Sequence, residues 1–214
     1  MTVMDCIGKY VGGIDYRVPI FTNDIYKYVE EQIPGVRKDV LNEYVTRYAK
    51  NNPEFIRHQK GVYYKTVITP FGKAGISYAE LIKRTYLADG NEVFGYETGP
   101  SFMNKIGLTT QMPAHTYLAT ERTRVVVAGE NDRLLLLKPI TKVTKENYRY
   151  LQFLDLLNNR MKVRIEAENY QEILRKYIDN YGLNFELLLC YARYYKNNKI
   201  YIRLAELARG ENGI

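Results

Sequence analysis

The 214-residue chain contains no tryptophan, two cysteines and two histidines, and no uninterrupted apolar run of membrane length. Each scarcity removes a class of protein. Cys6 and Cys190 stand far apart, which is neither a disulfide framework nor the paired spacing of a zinc site. His58 and His115 belong to no HxxxH-type pair, so a structural or catalytic metal is not expected. No stretch approaches the ~18 apolar residues of a spanning helix. The opening residues MTVMDCIGKYVGG lack the basic start and apolar run of a signal peptide. With reduced cysteines, these features lead us to expect a cytoplasmic protein without a membrane partner. The phosphate-loop pattern GxxxxGK[ST], the dinucleotide pattern GxGxxG and the nucleophile elbow GxSxG are also missing. Glu166 and Glu168 form a near pair of carboxylates, but in a charged stretch that reads as solvated, and His115 has no nucleophile beside it. The expectation is a non-enzymatic protein without a cofactor.

What is abundant is less decisive. A hydrophobic fraction of 46% and an aromatic fraction of 13% fit a globular fold rather than a disordered chain. The 21 tyrosines accompany frequent Lys, Asn and Ile and read mainly as compositional bias. The net charge of +7 permits a polyanionic partner. It is spread evenly, however. Residues 1–66 carry ten Lys/Arg against eight Asp/Glu, residues 67–144 nine against seven, and residues 145–214 twelve against nine. Local pattern must therefore decide which part meets a partner.

The pattern is richest at the N-terminus. Residues 4–11 read as a short helix, and Pro19-Ile20-Phe21 as a strand or linker. Thr22 or Asn23 is expected to cap a second helix, with Asp24 in its first turn where the dipole favours a negative charge. Ile25, Tyr28, Val29 and Ile33 share one face of that helix. Pro34-Gly35 stops it. Another helix is expected over residues 36–50, with Val36, Val40, Leu41, Tyr44 and Tyr48 inward. A tight turn between two amphipathic helices is a helix-turn-helix. Lys38, Asn42 and Thr46 then lie opposite the apolar stripe, Arg47 and Lys50 flank it, and Arg37 sits at the start, where a recognition helix reaches base edges. Asn and Arg make paired hydrogen bonds to base edges and Thr bonds to either base or phosphate. Asp39 and Glu43 oppose this, since phosphates repel them.

The next residues supply a hairpin. Phe55-Ile56-Arg57-His58 and Val62-Tyr63-Tyr64 read as strands joined by Gln59-Lys60-Gly61. A basic hairpin directly after a recognition helix is the order of a wing. Arg57, His58 and Lys60 are placed to meet phosphate or minor groove, and Gly61 permits the turn. The expected fold class is α+β: a winged helix-turn-helix over 1–66, a small central α/β module over 67–144, and a helical region over 145–214. The central module is expected to hold a helix over 78–87, a short helix around Ser101–Gly107, a turn at residues 108–113, and strands at 115–119, 124–128 and 134–138.

Two of these stretches resemble a family. Lys60-Gly61-Val62-Tyr63-Tyr64-Lys65 with Phe71-Gly72 resembles the wing and linker of AbiEi-type (type IV) antitoxins, the transcriptional-regulator family that includes the DUF6088 proteins. The run Gly99 to Pro113, with Gly107-Leu108-Thr109-Thr110-Gln111-Met112-Pro113 at its end, resembles that family's central motif, a short helix followed by a Gly-Leu-Thr-Thr-Gln-x-Pro turn. The resemblance covers about residues 20–157 and has no counterpart beyond Asn158. It implies a winged-helix domain that binds a double-stranded DNA operator and represses its own operon. It also implies a C-terminal region that counters a nucleotidyltransferase-like toxin, functionally rather than through obligatory contact. Taken by themselves, Thr109, Thr110 and Gln111 read as satisfying backbone groups at a helix end.

The last third reads as helices over residues 148–157, 170–181, 185–195 and 200–208, the third apolar on nearly every side. Such helices complete a core, form a homodimer or dock a partner. The functional expectation is a DNA-binding regulator. Its alternative is a protein-interaction module whose winged helix does not bind DNA, which Asp39 and Glu43 would favour.

Overall fold

Thr2 and Asp5 begin the first helix by satisfying each other. The Asp5 backbone N–H donates to Thr2 Oγ1 at 3.2 Å, and the Thr2 N–H donates to Asp5 Oδ2 at 2.8 Å. This reciprocal box removes two orphan donors from a helix start. The helix that follows, α1 (Val3–Gly12), buries Cys6, Ile7 and Val11. The computed structural model describes residues 1–122 and 134–209. The chain divides into two compact units, Met1–Leu81 and Ile82–Ile214. Helices and strands occur in both, so the class is mixed α+β.

In the first unit α1 is followed by β1 (Ile20–Phe21), α2 (Thr22–Gln32), α3 (Lys38–Asn51), β2 (Phe55–Gln59) and β3 (Val62–Lys65). Strand β1 runs straight into α2. The capping position therefore falls on Phe21, which has no capping side chain, and not on Thr22 or Asn23 as expected. Thr22 is instead held by the hairpin turn, its N–H donating to the Gly61 carbonyl at 3.0 Å. Helix α2 buries Ile25 and Val29. It stops before Pro34-Gly35, where Gly35 takes φ +88°, a conformation that costs glycine little. On α3 the buried residues are Leu41 and Val45, with Tyr44, Tyr48 and Ala49 packed beside them. Val40, expected inside, is exposed. The stripe runs through Leu41, Val45 and Tyr48, and Val40 is rotated about 100° from Leu41.

The three strands form one antiparallel sheet in the order β1-β3-β2, with Ile20 opposite Tyr63 and Ile56 opposite Tyr64. Its inner face closes on the helices through Ile20, Phe55 and Tyr63, and the rings of Phe55 and Tyr63 stack at 4.9 Å. The unit continues past residue 66 into a small hairpin, β4 (Ile68–Thr69) and β5 (Gly72–Lys73). Arg17 ties this extension down. It adopts φ +68°, unusual for a non-glycine residue. Its N–H donates to Lys65 O at 2.7 Å, its carbonyl accepts from Ser77 N–H at 2.8 Å, and its Nε donates to Gly75 O at 3.0 Å.

Helix α4 (Tyr78–Ile82) runs on into a π-helical turn over Lys83–Leu87. The second unit then holds β6 (Ala88–Asp89), β7 (Glu92–Val93), β8 (Gly95–Thr98), α5 (Gly99–Lys105), β9 (Thr116–Thr120) and β10 (Leu134–Leu137). Strand β9 pairs antiparallel with β8 and parallel with β10. The strand expected at 124–128 lies outside the described residues. Helices α6 (Tyr148–Asn158), α7 (Tyr170–Tyr181), α8 (Phe185–Ala192) and α9 (Asn198–Arg209) complete the unit. The stretches expected as a central module and a helical region share one core: Phe102, Met103 and Leu108 pack with Phe153 and Leu157 of α6, Leu174 of α7 and Leu204 of α9. Helix α8 is buried on one side only. Leu188 and Ala192 are buried, but Leu187 and Leu189 are exposed.

Candidate nucleic-acid interface

Because Leu41 and Val45 anchor α3 to the core, the opposite side of the helix faces solvent. Lys38, Asn42, Thr46, Arg47 and Lys50 are all exposed there, as the spacing predicts. Several are pre-oriented. Lys38 Nζ lies 4.8 Å from the centre of the Tyr26 ring, and the Arg47 guanidinium 5.5 Å from that of Tyr44. Both are within cation–π range. Thr46 is partly committed, since its hydroxyl donates to the Asn42 carbonyl at 2.8 Å. The Asn42 side chain has no such tie among the described residues and keeps both an amide donor and a carbonyl acceptor for a base edge.

Arg37 stands at the N-cap of α3 in extended conformation. Its guanidinium grips Asp39 with two nitrogens, Nε to Oδ1 at 3.1 Å and Nη2 to Oδ2. The Arg37 hydrogen bond holds the Asp39 carboxyl below the usual range. The acid that opposes phosphate binding is thus paired with the cation placed nearest to it. Glu43 remains as an exposed carboxylate on the same helix.

The turn at Asn52-Pro53-Glu54 leads from α3 into the hairpin, closed by Phe55 N–H donating to Asn52 O at 2.9 Å. Lys60 is exposed at the hairpin turn, and Gly61 takes φ +78°. The bonds from Thr22 fix that turn beside the start of α2, where a Cβ on residue 61 would meet Thr22 Oγ1 at 3.3 Å. Arg57 is exposed. His58 is not arranged as expected. The pairing steps from Arg57–Tyr63 to Gln59–Val62, leaving His58 as a bulge residue. The extra residue breaks the strand's alternation. The imidazole meets the Tyr78 ring edge-on at 5.8 Å, and its Nε2 is buried without a hydrogen-bond partner among the described residues. His58 therefore leaves the exposed basic set.

In the second unit the Thr109-Thr110-Gln111 turn is held by Glu166, which is exposed, as expected for its charged stretch. Thr110 donates to Glu166 Oε2 from its N–H at 2.7 Å and from its hydroxyl at 2.5 Å, and Thr109 Oγ1 adds a bond at 3.3 Å. These bonds, Thr110 foremost, hold the Glu166 carboxyl below the usual range. The turn is a clasp between two loops.

A second polar centre is marked by no sequence motif. Asp155 of α6 accepts from Tyr96 at 3.0 Å, Thr98 at 3.1 Å and Tyr195 at 2.8 Å. It borders a cleft of about 440 Å³ with Lys138, Arg160 and Asn197. Burial pushes the Asp155 carboxyl up, opposed by the three hydroxyls, and burial with the nearby carboxylate pushes the Tyr96 and Tyr195 phenols up. The available signal was an acidic residue among the apolar positions Leu151, Leu154 and Leu157 of one helix. Among the described residues no cluster of His, Cys, Asp or Glu is grouped to hold a metal ion, and no helix is long and apolar enough to cross a membrane. No known protein-family model and no curated protein sequence matches this chain.

Proposed function

We propose that the first unit is a winged helix that binds double-stranded DNA, with α3 as recognition helix and the β2–β3 hairpin as wing. The observation that carries this reading is the solvent-facing row Lys38, Asn42, Thr46, Arg47 and Lys50 on α3, followed at once by a hairpin exposing Arg57 and Lys60. The element order supports it: three helices, a short strand between the first two, and an antiparallel hairpin pairing with that strand. In this arrangement Asn42 and Arg47 read base edges, while Lys38, Lys50, Arg57 and Lys60 neutralise phosphates. Arg37 contributes only when DNA draws it from Asp39. The role is that of a regulator acting by occupancy, without a catalytic step. The resemblance to AbiEi-type antitoxins extends the proposal to repression of its own operon and to opposition of a nucleotidyltransferase-like toxin.

The test is a gel shift of the full chain on the DNA upstream of its own reading frame, at two salt concentrations. Specific retardation that weakens steeply with salt is expected. Equal binding to unrelated DNA would reject the specific reading. A second reading, a protein-interaction module without DNA binding, draws on the Arg37–Asp39 pair and exposed Glu43. Failure to bind any duplex at low salt would favour it.

A further inference from the structure

Helix α8 exposes apolar surface that its own core does not need. Leu188 and Ala192 seat the helix, while Leu187 and Leu189 stand 44% and 46% exposed and Tyr194, just beyond it, 48%. Cys190 is exposed between them. The charges on this outward side have an order. Glu186 lies at the N-terminal end and Arg193 at the C-terminal end, seven residues apart. Two helical turns separate them, so they project from the same side about 10 Å from each other. Neither forms an ion pair among the described residues.

We propose that this face of α8 is a two-fold interface occupied by a second copy of the chain. A two-fold axis makes a surface meet itself, so each residue must complement its own symmetry mate. Pairing α8 antiparallel with its copy places each Glu186 against the other Arg193. It stacks the Leu187–Leu189–Cys190 patch on itself, because the midpoint between Glu186 and Arg193 falls between Leu189 and Cys190. A parallel pairing would instead set Glu against Glu and Arg against Arg. The carboxylate of Glu186 on this face also argues against an anionic lipid surface, which would repel it. One short helix covers less than the ~800 Å² per partner of a standard interface, so the association is of the weak, concentration-dependent kind.

Sedimentation equilibrium of the full chain from low micromolar to submillimolar concentration tests this. A reversible monomer–dimer equilibrium is expected. Leu187→Glu weakens it about tenfold or more by burying a charge in the apolar patch. Glu186→Arg and Arg193→Glu each weaken it, and the double swap restores it. That rescue separates a broken interface from a misfolded chain, because a folding defect is not repaired by a second exchange. A short bis-maleimide couples Cys190 to Cys190, Cys6 being buried. A chain that stays monomeric throughout overturns the proposal. So does a dimer indifferent to Leu187→Glu and to both charge swaps.

Discussion

The guanidinium of Arg37 closes on the carboxylate of Asp39 across the first turn of α3, with two nitrogens meeting two oxygens. Both side chains are well exposed, at 76% and 60%. An exposed pair of this kind adds little to folding. Its consequence lies in what Arg37 is free to do. While paired, Arg37 offers no net charge to a phosphate. Asp39→Asn is therefore expected to strengthen duplex binding, by about threefold to tenfold at low salt, and to steepen the log–log salt slope by about one. Fluorescence anisotropy over a salt series measures both. An unchanged slope would place Arg37 away from the phosphates.

Asn42 and Lys50 occupy the same exposed helix side and should fail differently. Asn42→Ala removes a paired donor and acceptor, so it should cost about 1–3 kcal/mol on the preferred site and little on random duplex. Lys50→Ala should weaken both by a similar factor and reduce the salt slope by about one. Competition titrations with specific and random duplexes separate the two outcomes. Equal losses for the two variants would remove Asn42 as a base reader.

Gly61 sits at φ +78° while its carbonyl accepts from Thr22. An alanine there meets both a disfavoured backbone region and Thr22 Oγ1 at 3.3 Å. Gly61→Ala is expected to destabilise the first unit by about 1–2 kcal/mol. Denaturant titration of the variant should show the midpoint falling at unchanged slope. An unaffected midpoint would mean the turn relaxes without strain.

The Asp155 cluster gives the second unit a pH signature. Burial raises the folded-state pKa of Asp155 above its unfolded value. Between those two values the folded chain holds a proton that the unfolded chain has released. Stability is therefore greatest at the acid side of that window and declines as pH rises through it, levelling above the folded pKa. Asp155→Asn abolishes this slope. It also replaces one of the two acceptor oxygens by an NH2, so that either Tyr195 or the Tyr96–Thr98 pair loses its acceptor, costing about 1–3 kcal/mol above the window. Thermal melting across about pH 4 to 8 checks the sign. The same slope in wild type and variant would show that another group sets it.

The elements of the first unit were largely legible in the sequence because their signals are local. Pro34-Gly35 ends α2, Gly61 turns the hairpin, and the apolar spacing of Ile25 and Val29 or Leu41 and Tyr48 marks which side of each helix is inward. The exposed row on α3 follows from the same periodicity. Readings that needed a neighbour's identity fared worse. Val40 fits an apolar stripe in isolation, but the core meets the helix along Leu41 and Val45. Thr22 is a good cap by type, but β1 holds Phe21 at the helix start and the hairpin turn holds Thr22. His58 is basic by type, but a bulge turns it against Tyr78.

By itself the sequence determined which stretches form most of the helices and turns, and which charges lie on the outer side of α3, because those depend on residues within a turn or two of each other. Tertiary structure alone decided which of these groups remain available. Tyr96 and Tyr195 meet Asp155 across 59 and 40 residues of chain. Such partners are set by how elements pack, since a buried polar group is stable only where another group, distant in sequence, comes to satisfy it.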